Sequence, residues 1–395
     1  MAAAVELSGA GIPVTVFESG PVPGGRARRV MSQGIALDNG QHILVGAYAE
    51  LYRLMGTVGA PESALLRVPL EIRYARGFDL RRLPLPGRAG LLGGLLTARG
   101  VPWRERLDAV RFLSRLEAAR FTLEHDISVE QLLAEHRQSG RMGHFLWRPL
   151  CVSALNTPPP LASAKVFLAV LRDALGGGAG ASDLLLPRVD LSQLFPEPAA
   201  QFVRQHGGEV RLKETVRDLA DLRATFRRVI VAVGPPQLKA LIADAPEFSY
   251  QPIYTCYLQY GAATRLPRPM LGLADGVVQW VFDRGALLGE QGRLACVISA
   301  QGDHQQMDSD ELAVRCHHEL AAVLPDLGRP EWTRVIAEKR ATVTCAVDRR
   351  GVSIAPLDGV RIAGDYTDPE YPPTLEAAVR SGVRAASEVL GELRP

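Results

Sequence analysis

The sequence predicts an α/β fold, a Rossmann-like domain interrupted by an inserted α+β domain. Three stretches carry that prediction. Near the start, Val14-Thr15-Val16-Phe17-Glu18 places β-formers ahead of a carboxylate, and Gly24-Gly25-Arg26 follows after a five-residue turn. Farther on, Val229-Ile230-Val231-Ala232-Val233 is the apolar run that a strand covered on both faces requires. At the end, Val360-Arg361-Ile362-Ala363-Gly364-Asp365 leads through Pro372-Pro373 into Thr374-Leu375-Glu376, the opening of a helix.

The first stretch has a chemistry. A carboxylate ending the second strand of a βαβ unit accepts hydrogen bonds from both ribose hydroxyls of an adenosine, and Glu18 stands there. Taken alone, such an acid equally caps a turn. Gly24 and Gly25 let the backbone approach a bulky ligand, and Arg26 adds a charge and a planar fork suited to phosphate oxygens. The strand-Glu-x5-Gly-Gly-Arg run resembles the second FAD signature of the amine-oxidase and phytoene-desaturase flavoproteins. The run Leu37-Asp38-Asn39-Gly40-Gln41-His42-Ile43-Leu44 narrows the likeness. With Trp147-Arg148-Pro149-Leu150-Cys151 and Ala154-Leu155-Asn156-Thr157-Pro158-Pro159, it is similar to the hydroxysqualene dehydroxylases of bacterial hopanoid pathways.

Composition narrows the classes. A chain of 395 residues is long enough for two domains and a substantial core. A net charge of +2 gives no field for nucleic acid. Lysine occurs only at Lys165, Lys213, Lys239 and Lys339, and the arginine excess reads as coding bias. Cys151, Cys256, Cys296, Cys316 and Cys345 are far apart, so neither a metal centre nor a disulfide framework is expected and a reducing cytoplasm fits. No charged-then-apolar signal opens the chain and no apolar run is long enough to span a bilayer. The expected location is cytoplasmic, or peripheral on the inner face of the cytoplasmic membrane.

In chain order, residues 2–9 read as a helix that Gly9 and Gly11 lead into the strand at Val14. Tyr48 to Gly56 is a helix, and residues 65–86 are short strands of the second domain. Gly87 to Ala98 is a glycine-leucine stretch edged by Arg88 and Trp103, read either as an internal helical turn or as a surface for peripheral membrane contact. Leu107, Val110, Leu113 and Leu116 fall on one helical face. Helices start at Ser128 and Gly140, and a further one spans Ala162 to Leu175 before the connection Gly176 to Gly180. The Val189-Asp190-Leu191-Ser192 segment is family-like, with no role derivable from its residues. A helix at 198–206 and a strand at Gly207 to Leu212 return the chain to the first domain. Tyr254 to Tyr260, Val277 to Phe282, Ala295 to Ser299 and Thr333 to Glu338 have strand character, with a helix at Asp310 to Val323. Residues 1–45, 198–240 and 355–395 are assigned to FAD binding, and 46–197 and 241–354 to the substrate.

The resemblance implies FAD as cofactor and hydroxysqualene, a long isoprenoid, as substrate, reduced to squalene with loss of water. It implies that Glu18, Gly24, Gly25, Arg26, Gly40, Gln41, His42, Val216, Gly364, Asp365, Thr374 and Leu375 hold the cofactor, with Val216 at the adenine, Asp365 by the ribityl-phosphate portion and the helix start at Thr374 near the flavin ring. Trp147, Leu150 and Asn156 line the substrate cavity or, equally, belong to a plain helix core. The allylic hydroxyl needs a proton donor, for which His42 is the first candidate and Tyr366 the second. A carotenoid desaturase and a degenerate, non-catalytic flavoprotein are the rival readings. Whether pathway enzymes associate with the chain is not encoded in any motif.

The Gly-x-Gly-x-x-Gly turn of a dinucleotide fold precedes the ribose-binding acid by roughly 20 residues, for which Glu18 leaves no room. A start codon assigned downstream of the true one is the favoured explanation, a natively short chain the other. The upstream DNA is expected to encode, in frame, a strand and this glycine turn; an in-frame stop before them would refute that.

Overall fold

The computed structural model describes residues 1–85, 87–176, 178 and 180–393. The Rossmann-like part contains two parallel strand pairs. Thr15–Glu18 runs beside Glu209–Leu212, and Val229–Val231 beside Val360–Ile362. Helix Ala2–Gly9 lies between layers. One face meets Ala386 and Val389 of the long helix Leu375–Leu393, and another meets Val203 of helix Pro196–Gln205 and Val210 of the first strand pair. A helix apolar all round must be covered all round, and Ala2, Ala3, Ala4, Val5 and Leu7 are all buried. The two helices approach so closely that a Cβ on Gly382 would stand 3.0 Å from Cβ of Ala2.

The inserted part is built on an antiparallel five-stranded sheet in the order Met270–Gly272, Trp280–Asp283, Arg293–Ser299, Tyr250–Gln259, Trp332–Val343. Alternation sorts its strand Tyr250–Gln259 onto two cores. Tyr254, Cys256 and Leu258 pack with Leu312, Cys316 and Leu320 of helix Ser309–Ala321. Tyr257 faces the opposite way, into a larger core with Phe282, Val297, Phe167 and Trp147. That core is roofed by helices Trp103–Ala118, Val129–Glu135, Arg148–Leu155 and Ala164–Gly176. Ser128 caps the second of these, its Oγ accepting from Gln131 N at 3.1 Å. Of the glycine connection after Leu175, residues 177 and 179 lie outside the described residues.

The glycine-leucine stretch forms helix Arg88–Thr97, and its glycines have a packing reason. Gly90 and Gly94 share one face, where an added Cβ would stand 2.5 Å from the Leu83 carbonyl oxygen and 2.3 Å from that of Arg81. The helix therefore lies directly on backbone. On the outside, Leu96 and Trp103 are 48% and 66% exposed. Among the described residues, no helix is long and apolar enough to cross a membrane.

Gly93, on the same helix, would place a Cβ 2.7 Å from a methyl of Leu83, a side-chain end that can turn away. Gly94→Ala is therefore expected to destabilise the protein by about 2 kcal/mol through overpacking, whereas Gly93→Ala costs less than about 1 kcal/mol because helix propensity offsets the adjustment. Urea unfolding of both variants checks this, and equal losses would show that carbonyl contact does not seat the helix.

Candidate functional site

Glu18 ends its strand with Oε1 accepting the Gly20 amide at 2.6 Å, and Oε2 has no protein partner among the described residues. The segment after Leu212 is drawn to the same corner, since Lys213 N donates to the Gly20 carbonyl and Glu214 N to that of Glu18, both at 3.0 Å. Val216 follows two residues later, outside any helix or strand. Gly24 sits at φ +119 where a Cβ would stand 2.6 Å from the Ala27 carbonyl oxygen, whereas Gly25, at φ +59, has open space on that side.

Arg26 joins the two ends of the sequence. Its Nη2 donates to Asp365 Oδ1 at 2.6 Å and its Nη1 to the Ala341 carbonyl. Both terminal nitrogens of the fork are thus turned toward protein. Burial draws the guanidinium pKa down, but Asp365 and Glu338 outweigh it and the charge is held more firmly than usual. Asp365 is itself buried, and the preceding Gly364 N donates to Ser381 Oγ of the C-terminal helix at 2.8 Å. At the start of that helix, Thr374 Oγ1 accepts from Ala377 N at 3.2 Å. Burial pushes Tyr48 up to about 12.

The Asp38–His42 run is positioned by side chains. Asn39 Nδ2 donates to the Arg26 carbonyl at 3.1 Å and to Glu338 Oε2 at 3.2 Å. Asp38 Oδ1 accepts from Leu191 N at 2.8 Å and Oδ2 from Arg284 at 3.1 Å. Burial raises the Asp38 pKa against the pull of Arg284. The Val189-Asp190-Leu191-Ser192 segment thereby gains a role. Ser192 Oγ accepts from Arg29 N, and Asp190 pairs with the Arg29 guanidinium at 2.7 Å, so the segment braces the hairpin Arg29–Ser32/Ile35–Asp38. His42 is half-buried near Arg26; burial first and that charge second lower its pKa to about 4.

Other sequence candidates stand elsewhere. The Tyr366 hydroxyl donates to the Val233 carbonyl at 2.9 Å, tying the two strand ends of one parallel pair together. Trp147 is buried with Nε1 on Gln138, and Leu150 is half-buried at the edge of the same core. Asn156 takes a left-handed conformation (φ +46) after its helix, donating to Thr342 Oγ1 at 3.0 Å and accepting from Ala300 N at 2.7 Å. Its amide thus braces helix against sheet. Residues missed by sequence reasoning are Arg284 and Glu338, which carry no motif, and the role of Glu376. The Glu376 carboxylate, fully buried, accepts the Glu50 and Leu51 amides and caps helix Ala49–Thr57.

Residues 1–390 match the profile of the flavin-containing amine oxidoreductases. The chain belongs to this family. It is 27% identical to the hydroxysqualene dehydroxylase of Zymomonas mobilis over 427 residues, covering 99% of this chain and 96% of that protein. It is 29% identical to that of Rhodopseudomonas palustris over 423 residues, with the same coverages. Among solved structures, an oxidoreductase from Methanosarcina mazei superposes with a TM-score of 0.71 at 14% identity, covering 98% of this chain and 97% of that one. The donor set fits the flavin of an amine oxidoreductase. Glu18 keeps an oxygen free at the end of a parallel strand, Gly25 leaves its backbone open, and Ser381 of the Leu375–Leu393 helix accepts the amide of Gly364, next to Asp365.

His42 gives this site a pH signature. A base whose folded pKa lies below its unfolded value holds its proton more weakly when folded, so stability falls as pH drops through about 6.5 and continues to fall until about 4. Between pH 7 and 4.5, wild-type protein is expected to lose about 2 kcal/mol more than His42→Gln in urea unfolding. Equal losses in both proteins would refute the shift.

Proposed function

We propose that the chain is an FAD-dependent hydroxysqualene dehydroxylase that reduces its substrate to squalene with loss of water. The observation that carries this reading is the nearly full-length likeness to proteins named for that activity, in a chain whose Asn39–His42 run meets the Arg26–Asp365 pair. The reading assigns residues 1–45, 198–240 and 355–395 to FAD binding and the remainder to the substrate. Glu18 and Val216 hold the adenosine end; Gly25, Asp365, Thr374 and Leu375 take the rest.

Reduced flavin, when bound, is the source of the hydride. The chain's own tasks are to keep the hydrocarbon dry and to protonate the departing hydroxyl. Burial of the isoprenoid contributes about 0.8 kcal/mol per CH2, so apolar walls supply the affinity. In this reading His42 is the proton donor and Tyr366, whose hydroxyl is engaged with Val233, orders the strands. With a pKa of about 4, His42 is neutral at pH 7; turnover dependent on its cation rises about tenfold per pH unit from 7 to 5. The substrate is collected at a bilayer surface by Leu96 and Trp103, with Arg99 and Arg104 beside them on the exposed side.

The test is an anaerobic incubation of the purified protein with chemically reduced FAD and hydroxysqualene, followed by mass spectrometry of the extracted lipid. Squalene is expected, and His42→Ala is expected to lower its formation more than about 100-fold with FAD still bound. Bound flavin without squalene would transfer the chain to the desaturase reading, and failure to retain flavin, with no extension encoded upstream, would point to a non-catalytic protein.

A further inference from the structure

Gly40, Gln41 and His42 make no backbone-to-backbone hydrogen bond among the described residues; the run is joined to the ladder only at Asn39, whose N donates to the Arg28 carbonyl. A segment so free of backbone pairing takes its position from side-chain anchors. Two of those anchors, on Asp38 and on Gln41, meet at one residue, while Asn39 is held by the Arg26 carbonyl and Glu338. Arg284, 1% exposed, opens the short helix Arg284–Leu288. Its Nη1 donates to Asp38 Oδ2 and to Gln41 Oε1, both at 3.1 Å. Its Nε and Nη2 grip the two oxygens of Glu290. The guanidinium lies 5.3 Å from the ring centre of Tyr257, whose hydroxyl donates to the Asp38 carbonyl at 2.9 Å. Glu290 in turn pairs with Arg293 at 3.0 Å and is partly exposed, so the charge series ends at solvent.

We infer that Arg284 is the positioning residue of the active segment, fixing Gln41, and through it His42, in the place that the proposed dehydroxylation requires. It touches neither reacting atom nor substrate in this account. The planar fork is essential, because one nitrogen bridges a carboxylate and an amide while the other two hold Glu290, a pattern that a lysine ammonium cannot reproduce. Each partner depends on the others. Without the fork, Asp38 becomes a buried carboxylate with one fewer donor and Gln41 loses the only side-chain partner it has among the described residues.

This inference rests on the proposed function for its purpose, but its test does not. Amide hydrogen exchange followed by mass spectrometry on the full chain, without flavin or substrate, reads the segment directly. Arg284→Lys is expected to speed exchange about tenfold at the amides that the segment's hydrogen bonds protect, Asn39 N on the Arg28 carbonyl and Leu191 N on Asp38 Oδ1, while leaving helix Ser309–Ala321 unchanged. Glu290→Gln, a change at the solvent end of the network, is expected to give about a threefold effect in the same direction and serves if Arg284→Lys fails to fold. Adding Gln41→Leu to Arg284→Lys is expected to change the rate by less than about twofold, since both remove one contact. With flavin present, Arg284→Lys is expected to alter the visible absorption of the bound cofactor and to lower kcat with KM nearly unchanged. Unchanged exchange at Asn39 and Leu191, or equal acceleration in helix Ser309–Ala321, overturns the inference even if squalene is formed. Local acceleration sustains it even if hydroxysqualene proves not to be the substrate.

Discussion

The contact on which the molecule depends is the ion pair between Arg26 and Asp365, 339 residues apart in sequence and 2.6 Å apart in space. Arg26 follows the two glycines after the first strand, and Asp365 follows the last strand. Because Asp365 is buried, a partner removed from either side leaves an uncompensated charge, which is far costlier than an exposed pair of the same length. The pair also has a spatial role. Arg26 Nη1 reaches the Ala341 carbonyl on the long strand of the inserted sheet, so one side chain links the N-terminal strand, the C-terminal strand and the inserted part.

Around that junction, charged side chains replace the regular backbone ladder. Asp38 and Glu376 satisfy amides or a guanidinium group, and Asn39 a carbonyl and a carboxylate, that no strand or helix partner meets. A buried carboxylate with several donors is stable only where every donor is in place. The Arg29 hairpin, the Asp190 turn and the Arg284 helix come from three distant parts of the chain, and all three contribute to holding Asp38 or its strand.

Much of this was legible in the residues. The acid after the first strand, the paired glycines and the final Gly-Asp have backbone requirements that few other residue types meet, so their spacing announces a nucleotide fold. The helix faces from Trp103 onward were equally readable, because 3.6-residue periodicity is a local property. Arg284 and Glu338 were not. Each lies in an ordinary strand or helix pattern, and its significance comes from a partner more than 200 residues away. Tyr366 and Asn156 show the converse. Their polar groups attracted attention as chemistry, and the fold engages both with backbone or side-chain partners that periodicity does not encode.

The two parallel strand pairs set a schedule for making the protein. Thr15 meets Glu209, and Val229 meets Val360, so neither pair closes until a long intervening segment exists. At ordinary ribosomal speed, the roughly 190 residues between the first two partners take about ten to forty seconds to appear. During that interval the first strand stands with an open edge, ready to pair with another nascent chain. The five-stranded sheet of the inserted part lies entirely between residues 250 and 343, so the first pair can close before any of that sheet has been made.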